Sequence, residues 1–130
     1  LKMMVTIKSI PRKNPQDEQA PEKFYVQTVS NGFVNFERLA YLISNQSTAR
    51  EADCLAVLNA MQHNMLDELA QGKIVQLGTL GNFQVGVRSH GSDTQEEVNA
   101  TKVRSAHINY RPGKRVRKAL KTMEYKLIDG

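Results

Sequence analysis

The sequence is poor in cysteine and has no long apolar run, and each shortage excludes a class of protein. Cys54 is the single cysteine, so the chain can form no internal disulfide, which fits a reducing cytoplasm. The apolar neighbours of Cys54 favour a buried structural thiol over a nucleophile. No apolar stretch approaches the roughly 20 residues that a membrane span needs, so no membrane partner is expected.

The residue types that catalysis needs are present but are not grouped. His63, His90 and His107 are scattered, without the spacing of metal ligands. Asp67 and Glu68 are adjacent, so their carboxylates would not converge as a catalytic pair does. We therefore predict a protein that is not an enzyme, with no cofactor, no metal and no small-molecule substrate.

The sequence is rich in positive charge at one end. Its 130 residues carry a net charge of +5, and 40% hydrophobic content is typical of a globular chain with a core. Residues 100–130 hold nine Lys/Arg against two Asp/Glu, whereas residues 34–99 hold four against eight. Such segregation predicts a polyanionic partner, with a solvated basic tail as the alternative.

The first 33 residues are predicted to form a strand extension. Met4 to Ile10 alternates in hydrophobicity and contains β-branched residues, and Phe24 to Val29 has the same character. The polar segment from Pro11 to Glu22 holds three prolines and predicts a loop between the two strands. Residues 1–33 would therefore be a β-hairpin with a long proline-containing loop.

Two helices are predicted next. Asn35 is expected to cap a helix that ends near Asn45. Thr48 and Glu51 have the spacing of a capping box for a second helix, and Gly72 would end that helix. Its apolar residues cover more than one stripe: Leu55, Val57, Leu58, Met61, Met65, Leu66 and Leu69. So wide a surface predicts a second subunit, or else an ordinary core helix with two covered sides.

The remaining chain predicts a meander and a short basic helix. A short strand at Ile74–Leu77 and a glycine turn precede a strand from Phe83 to Val87. The polar segment from His90 to Glu97 would be a hairpin tip, and the chain would return as a strand over Val98–Tyr110. Pro112 and Gly113 would open the last helix. Its apolar face would be Val116, Ala119, Leu120 and Met123. The fold class is thus α+β.

From Val34 onward the sequence resembles the bacterial histone-like HU and integration host factor family. The segments that carry the resemblance are residues 35–40, 68–73, 75–77, 81–85 and 110–114. It covers about residues 34–121, so residues 34–130 are interpreted as an HU-like DNA-binding domain. The first 33 residues look like the strand extension of longer HU-like proteins.

The resemblance implies an intertwined homodimer whose two β-arms embrace DNA at the minor groove. In that family the arms carry arginines and a proline wedge that kinks the duplex. Here the arm region, residues 84–109, contains no proline, and its basic residues are Arg88, Lys102 and Arg104. The kinking wedge is therefore not carried over. Arg12–Gln16 resembles the missing arm tip in composition, although a polar turn is the simpler interpretation.

The last helix is the strongest predicted site for DNA phosphates. The predicted DNA-binding residues are Lys114, Arg115, Arg117, Lys118 and Lys121 on this helix, with Arg88, Lys102, Arg104 and Arg111 on the arm strands. By resemblance, Lys114 and Arg117 match helix positions that face phosphates. For each arm residue an ordinary exposed charge is an equal alternative. Phosphate contacts carry no sequence information, so low sequence specificity is expected.

The function predicted from these observations is that of a homodimeric, nucleoid-associated protein of the bacterial cytoplasm that binds double-stranded DNA. The alternative is an HU-fold dimer with weak or no DNA binding that acts as a structural or protein-interaction module. The neutral, proline-free arm favours the alternative, and the basic C-terminal segment favours DNA. RNA is a third possible partner, because phosphate contacts alone do not distinguish the two polymers.

Overall fold

The computed structural model describes residues 3–128, and by its internal contacts the chain divides into two units. The first unit combines the N-terminal part up to Val34 with the part from Ala119 onward, and the second is Asn35–Lys118. In chain order the elements are β1 (Met4–Arg12), β2 (Lys23–Val29), α1 (Phe36–Asn45), α2 (Glu51–Ala70), β3 (Val75–Gln76), β4 (Gly81–Ser89), β5 (Val103–Pro112), α3 (Lys114–Lys121) and β6 (Glu124–Ile128).

The first unit is built on a three-stranded sheet with the order β2-β1-β6. Strands β1 and β2 pair antiparallel from Thr6 opposite Val29 to Arg12 opposite Lys23, which confirms the predicted hairpin. Strand β1 continues through Pro11, which the sequence had suggested as the start of the loop. Proline is tolerated there because β6 pairs only with the part of β1 up to Lys8, so no ladder bond to β6 is lost.

Strand β6 is the element that the sequence analysis missed. It pairs parallel to β1, with Val5 opposite Tyr125 and Ile7 opposite Leu127. The last helix was predicted to include Met123, but α3 ends at Lys121 and the chain then enters the strand. A five-residue strand carries little local signal, and its partner lies at the other end of the chain.

The two faces of the sheet in the first unit differ, because one is mainly apolar and the other mixes charged with apolar residues. Residues alternate between the faces, and paired residues share a face. The apolar face therefore collects Val5, Ile7, Pro11, Phe24, Val26, Tyr125 and Leu127. Phe24 is 71% exposed and Leu127 is 64% exposed, so no element within the unit covers this face.

The second unit begins with the two helices. The side chain of Asn35 accepts a hydrogen bond from the backbone N–H of Arg38 at 3.0 Å, which confirms the predicted cap of α1. The capping box was wrong, because α2 begins at Glu51 with Arg50 as its N-terminal cap residue. Thr48 lies two residues earlier, in the turn between the helices. Gly72 ends α2 with φ of +81°, as predicted.

An antiparallel sheet with the order β3-β4-β5 completes the second unit and confirms the predicted meander. Strand β3 is limited to Val75 and Gln76. Strand β5 begins at Val103, later than predicted, because Ala100–Lys102 forms a single turn of 3₁₀ helix. The register of β4 and β5 shifts after Arg88, so Arg104 is an extra residue without a partner in β4.

The hydrophobic core is sparse. Among the described residues, the buried hydrophobic side chains are Ala40, Cys54 and Leu69. The burial of Cys54 agrees with its interpretation as a structural thiol. Val57 and Leu66 on α2 are each 67% exposed, although both are large and apolar. The single chain thus leaves much of its apolar surface uncovered.

Candidate nucleic-acid interface

Two glycines determine where α3 begins. Gly81, at the start of β4, has φ of +126°, and a Cβ atom there would overlap the carbonyl oxygen of Arg111. A Cβ atom at Gly113 would overlap the carbonyl oxygen of Thr79. The backbone N–H of Gly113 donates a hydrogen bond of 3.3 Å to the carbonyl oxygen of Leu80. The corner between β5 and α3 therefore packs backbone to backbone against the turn before β4.

The basic residues of α3 are fully available for binding. The helix has no buried residue, and its five cationic side chains are exposed: Lys114, Arg115, Arg117, Lys118 and Lys121. Within residues 3–128, no ion pair joins any of these cations to a carboxylate; Lys73 pairs with Glu68 there, and the imidazole of His63 lies 3.4 Å from the carboxylate of Asp67. The helix therefore presents a dense, uncompensated positive charge.

The electrostatics of α3 are the reverse of those in the longer helices. Helix α1 has Glu37 in its first turn and α2 has Glu51 and Asp53, as the helix dipole favours. The first turn of α3 has no acidic residue and begins with Lys114 and Arg115. Two cations at the positive end of a helix dipole destabilise the helix, and an external anion would relieve that cost.

The cations predicted on the strands do not form one cluster. Arg88 lies opposite Ser105 and Arg111 lies opposite Asn82, and alternation places both arginines on the polar face of the β4–β5 ladder. They are separated along the ladder by roughly 20 Å at about 3.3 Å per residue. Arg104 is the extra residue at the register shift and has no partner in β4, so alternation does not place it with Arg88 and Arg111. Lys102 is half-buried in the turn before β5.

The same polar face carries amide side chains that the sequence analysis did not single out. A shallow cavity of about 130 Å³ is lined by Asn82, Gln84, Asn109 and Arg111, with Ile74 at its side. Two alternate residues of each strand contribute to it, Asn82 and Gln84 of β4 and Asn109 and Arg111 of β5. That period of two was visible in the sequence, but only the register shows that the two strands bring their amides to one place.

The distal end of the β4–β5 ladder is an irregular segment, residues 90–102. The backbone N–H of His90 donates a hydrogen bond of 2.8 Å to the carbonyl oxygen of Lys102, which joins the two ends of the segment. Gln95–Glu97 and Ala100–Lys102 form 3₁₀ turns within it. Its charges are Asp93, Glu96 and Glu97 against Lys102. This end of the ladder is therefore acidic, unlike α3.

In residues 3–128, histidine, cysteine and carboxylate side chains form no group of three that could hold a metal ion. None of the helices in that range combines the length and hydrophobicity of a membrane span.

The comparisons with known proteins agree on the fold. The model of the HU-HIG family, described as an HU domain fused to wHTH, Ig, or glycine-rich motif, matches residues 3–126. A crystal structure of a candidate bacterial DNA binding protein from Bacteroides vulgatus ATCC 8482 is 16% identical, with a TM-score of 0.67 over 98% of this chain and 50% of that chain. This chain thus spans about half the length of the Bacteroides protein.

An HU–DNA cocrystal structure from Anabaena is 17% identical, with a TM-score of 0.55 over 68% of this chain and 99% of that chain. The second unit, residues 35–118, makes up a similar share of this chain. The HU protein is therefore about as long as the second unit alone. No curated protein sequence matches the chain.

Proposed function

Because this chain belongs to the HU-HIG family of HU-like proteins, we propose that it binds double-stranded DNA as a nucleoid-associated protein of the bacterial cytoplasm. The binding is to phosphates, with low sequence specificity, and involves no catalysis and no cofactor. The observation that carries the proposal is the set of exposed, unpaired cations on α3. The likeness to an HU–DNA cocrystal structure supports the same class of partner.

Helix α3 is the main contact. Its cations carry no carboxylate partner, so their charge is available to neutralise phosphates and to release condensed counterions. Lys114 and Arg115 at the start of the helix are relieved of an unfavourable dipole interaction when an anion approaches. Phosphate contacts of this kind position a protein on the duplex without reading its bases.

The polar face of the β4–β5 ladder is the secondary contact. Arg88 and Arg111 reach the duplex from this face, and Asn82, Gln84 and Asn109 between them offer amide donors and acceptors. Amide and guanidinium groups bond to phosphate and sugar oxygens as well as to base edges. Arg104, at the register shift, and the half-buried Lys102 are weaker contributors than the sequence prediction made them.

The binding species is a homodimer. Within residues 3–128 the buried hydrophobic side chains are Ala40, Cys54 and Leu69, which is too little internal core for a stable monomer of this length. Exposed apolar residues line both helices of the second unit, including Ile43, Val57 and Leu66. An apolar cavity of about 310 Å³ opens beside Cys54 and Val57 and is suited to a side chain of a second copy. Symmetric association would cover these surfaces and double the array of α3 cations.

A second candidate function is that of a structural or protein-interaction dimer with weak DNA binding. The acidic, proline-free end of the β4–β5 ladder favours it, because that segment offers a duplex little attraction and no wedge. Both candidates require the dimer, so the oligomeric state does not distinguish them. DNA affinity and its dependence on salt do.

The deciding experiment is fluorescence anisotropy of a labelled duplex of about 30 base pairs, titrated with protein at several salt concentrations. The proposal expects binding that weakens steeply with salt, with a log–log slope of roughly −0.9 for each phosphate neutralised. Duplexes of different sequence should bind with similar affinity. Absence of binding even at low salt would contradict the proposal and favour the protein-interaction dimer.

A further inference from the structure

We propose that the first unit contains a second phosphate-binding site, a cationic cleft at the open end of the β1–β2 hairpin that holds the backbone of the DNA bound by α3. This inference rests on the proposed function, because it assigns the same ligand to a different part of the chain. The cleft is formed by Arg12 and Lys13 at the end of β1 and by Lys23 and Tyr25 at the start of β2.

The cleft is wide, and its lining is strongly cationic. Its volume is about 740 Å³. Beside the four residues that form it, Asn14, Pro15, Ala20 and Pro21 complete the wall. By strand alternation Arg12, Lys23 and Tyr25 belong to the mixed face of the sheet, opposite the mainly apolar face. The cleft and the uncovered apolar surface therefore occupy different sides of the first unit.

Two of the cations face each other without compensation. Arg12 and Lys23 are direct partners across the antiparallel ladder. Like charges directly opposite each other in a sheet are destabilising. Within residues 3–128, no ion pair joins Arg12, Lys13 or Lys23 to a carboxylate. An anion between them would remove the repulsion, as a phosphate group does at a site of converging cations.

The acidic residues of the loop do not neutralise the cleft. The loop contains Asp17, Glu18 and Glu22, and none of them lines the cavity. The carboxylate of Asp17 accepts the backbone N–H of Gln19 at 3.0 Å, so it is used inside the loop. Asn14 accepts the N–H of Gln16 in the same way. Positive groups therefore line the cleft, and the acidic side chains of the loop are not part of its lining.

Tyr25 adds a neutral donor to the site. Its side chain is 50% exposed and lies on the face that carries Arg12 and Lys23. A phenolic hydroxyl can donate to a phosphate oxygen, and tyrosine is among the side chains that contact DNA phosphates. The donors of the cleft are two lysine ammonium groups, the guanidinium of Arg12 and the hydroxyl of Tyr25. They fit a phosphodiester chain better than a single small anion, because they span a cavity of about 740 Å³.

The test uses the full chain and the double variant Arg12→Gln/Lys23→Gln in the anisotropy titration. The variant should bind the duplex roughly tenfold more weakly at about 0.1 M salt, and its log–log salt slope should be smaller by about two. The control variant Gln16→Glu/Gln19→Glu changes the net charge by the same amount at loop positions outside the cleft. A local site predicts that the control keeps the wild-type slope.

A second readout distinguishes binding from a structural role. Removal of the Arg12–Lys23 repulsion should raise the melting temperature of the DNA-free protein by roughly 1–4 °C while DNA affinity falls. A fall in the melting temperature would mean that the pair stabilises the sheet and would overturn the argument. Equal losses of affinity in the double variant and its control would mean that net charge, and not a local site in the cleft, determines the affinity, and would overturn the proposal.

The remaining outcomes separate the two proposals. If the wild-type protein binds the duplex and the double variant binds it equally well, the cleft proposal fails and the function stands. If the wild-type protein does not bind the duplex at all, both fail. Calorimetric titration with inorganic phosphate tests the other source of the anion. The assignment to DNA would be overturned if the wild-type protein binds phosphate while the double variant keeps the wild-type salt slope for duplex binding.

Discussion

The phenolic hydroxyl of Tyr110 donates a hydrogen bond of 2.7 Å to the backbone carbonyl oxygen of Leu80. The bond joins the end of β5 to the turn that precedes β4, across thirty positions of sequence. The ring of Tyr110 also packs on Phe83, with centroids 4.9 Å apart. Together with Gly81 and Gly113, this bond fixes the corner from which α3 starts.

Replacement of Tyr110 by phenylalanine should lower the free energy of unfolding by about 0.5–1.5 kcal/mol, the net value of one hydrogen bond. The packing of the ring on Phe83 would be kept, so the loss reports the hydroxyl alone. Urea denaturation of the two proteins measures it. Tyr125→Phe is the control, because no hydrogen bond from the Tyr125 hydroxyl is seen within residues 3–128. An equal loss in the control would contradict the assignment.

Replacement of Gly113 by alanine should destabilise the protein by about 1–3 kcal/mol, since the new methyl group overlaps the carbonyl oxygen of Thr79. DNA affinity should fall as well, because the start of α3 would be displaced. Gly91→Ala is the matched control, since a Cβ atom there meets nothing within 4 Å. Thermal unfolding together with anisotropy measures both effects. A neutral Gly113→Ala would show that the corner tolerates a side chain.

Replacement of Lys114 and Arg117 by glutamine should reduce the log–log salt slope of duplex binding by about two, because each cation is assigned to one phosphate. The same number of charges is removed in the control variant Arg50→Gln/Lys73→Gln, whose two positions lie just before and shortly after α2. Lys73 is already paired with Glu68 at 2.8 Å, so its loss should change the slope little. Similar salt slopes in the wild type, the α3 variant and the control variant would mean that α3 does not contact the DNA.

Replacement of Val57 or Leu66 by aspartate should convert the dimer into monomers, because each side chain is large, apolar and 67% exposed in the single chain. A buried unpaired carboxylate in a subunit interface costs several kcal/mol. Gln62→Asp, at an exposed polar position of the same helix, should leave the dimer intact. Sedimentation at micromolar concentration distinguishes the species. A monomeric wild-type protein would contradict the dimer outright.

The parts of the fold that were predictable from sequence are those whose chemistry is local. The cap at Asn35 and the left-handed Gly72 follow from the needs of helix ends, and the hairpin follows from alternation on either side of a proline-rich loop. The capping box predicted at Thr48 was wrong, because a capping motif specifies a spacing and not the turn in which it lies. The actual helix starts after Arg50.

The parts that were not predictable depend on distant partners. The strand Glu124–Ile128 forms only because β1 offers it an edge. The cations of α3 were visible in the sequence, because a run of Lys and Arg on one short helix needs no knowledge of register. The amide face around Asn82 and the opposition of Arg12 to Lys23 both required the pairing of two strands.

The parallel pairing of β6 with β1 has a consequence for the topology of the chain. Residues 35–118 leave one sheet after β2 and return to it through β6, so they are an insertion whose two ends are tethered to one body. When such an insertion unfolds it becomes a closed loop rather than a free polymer. For a loop of this length, closure removes unfolded-state entropy worth roughly 4 kcal/mol. The last strand therefore keeps both ends of the second unit tethered, and cleavage of the chain after Met123 would free one of them.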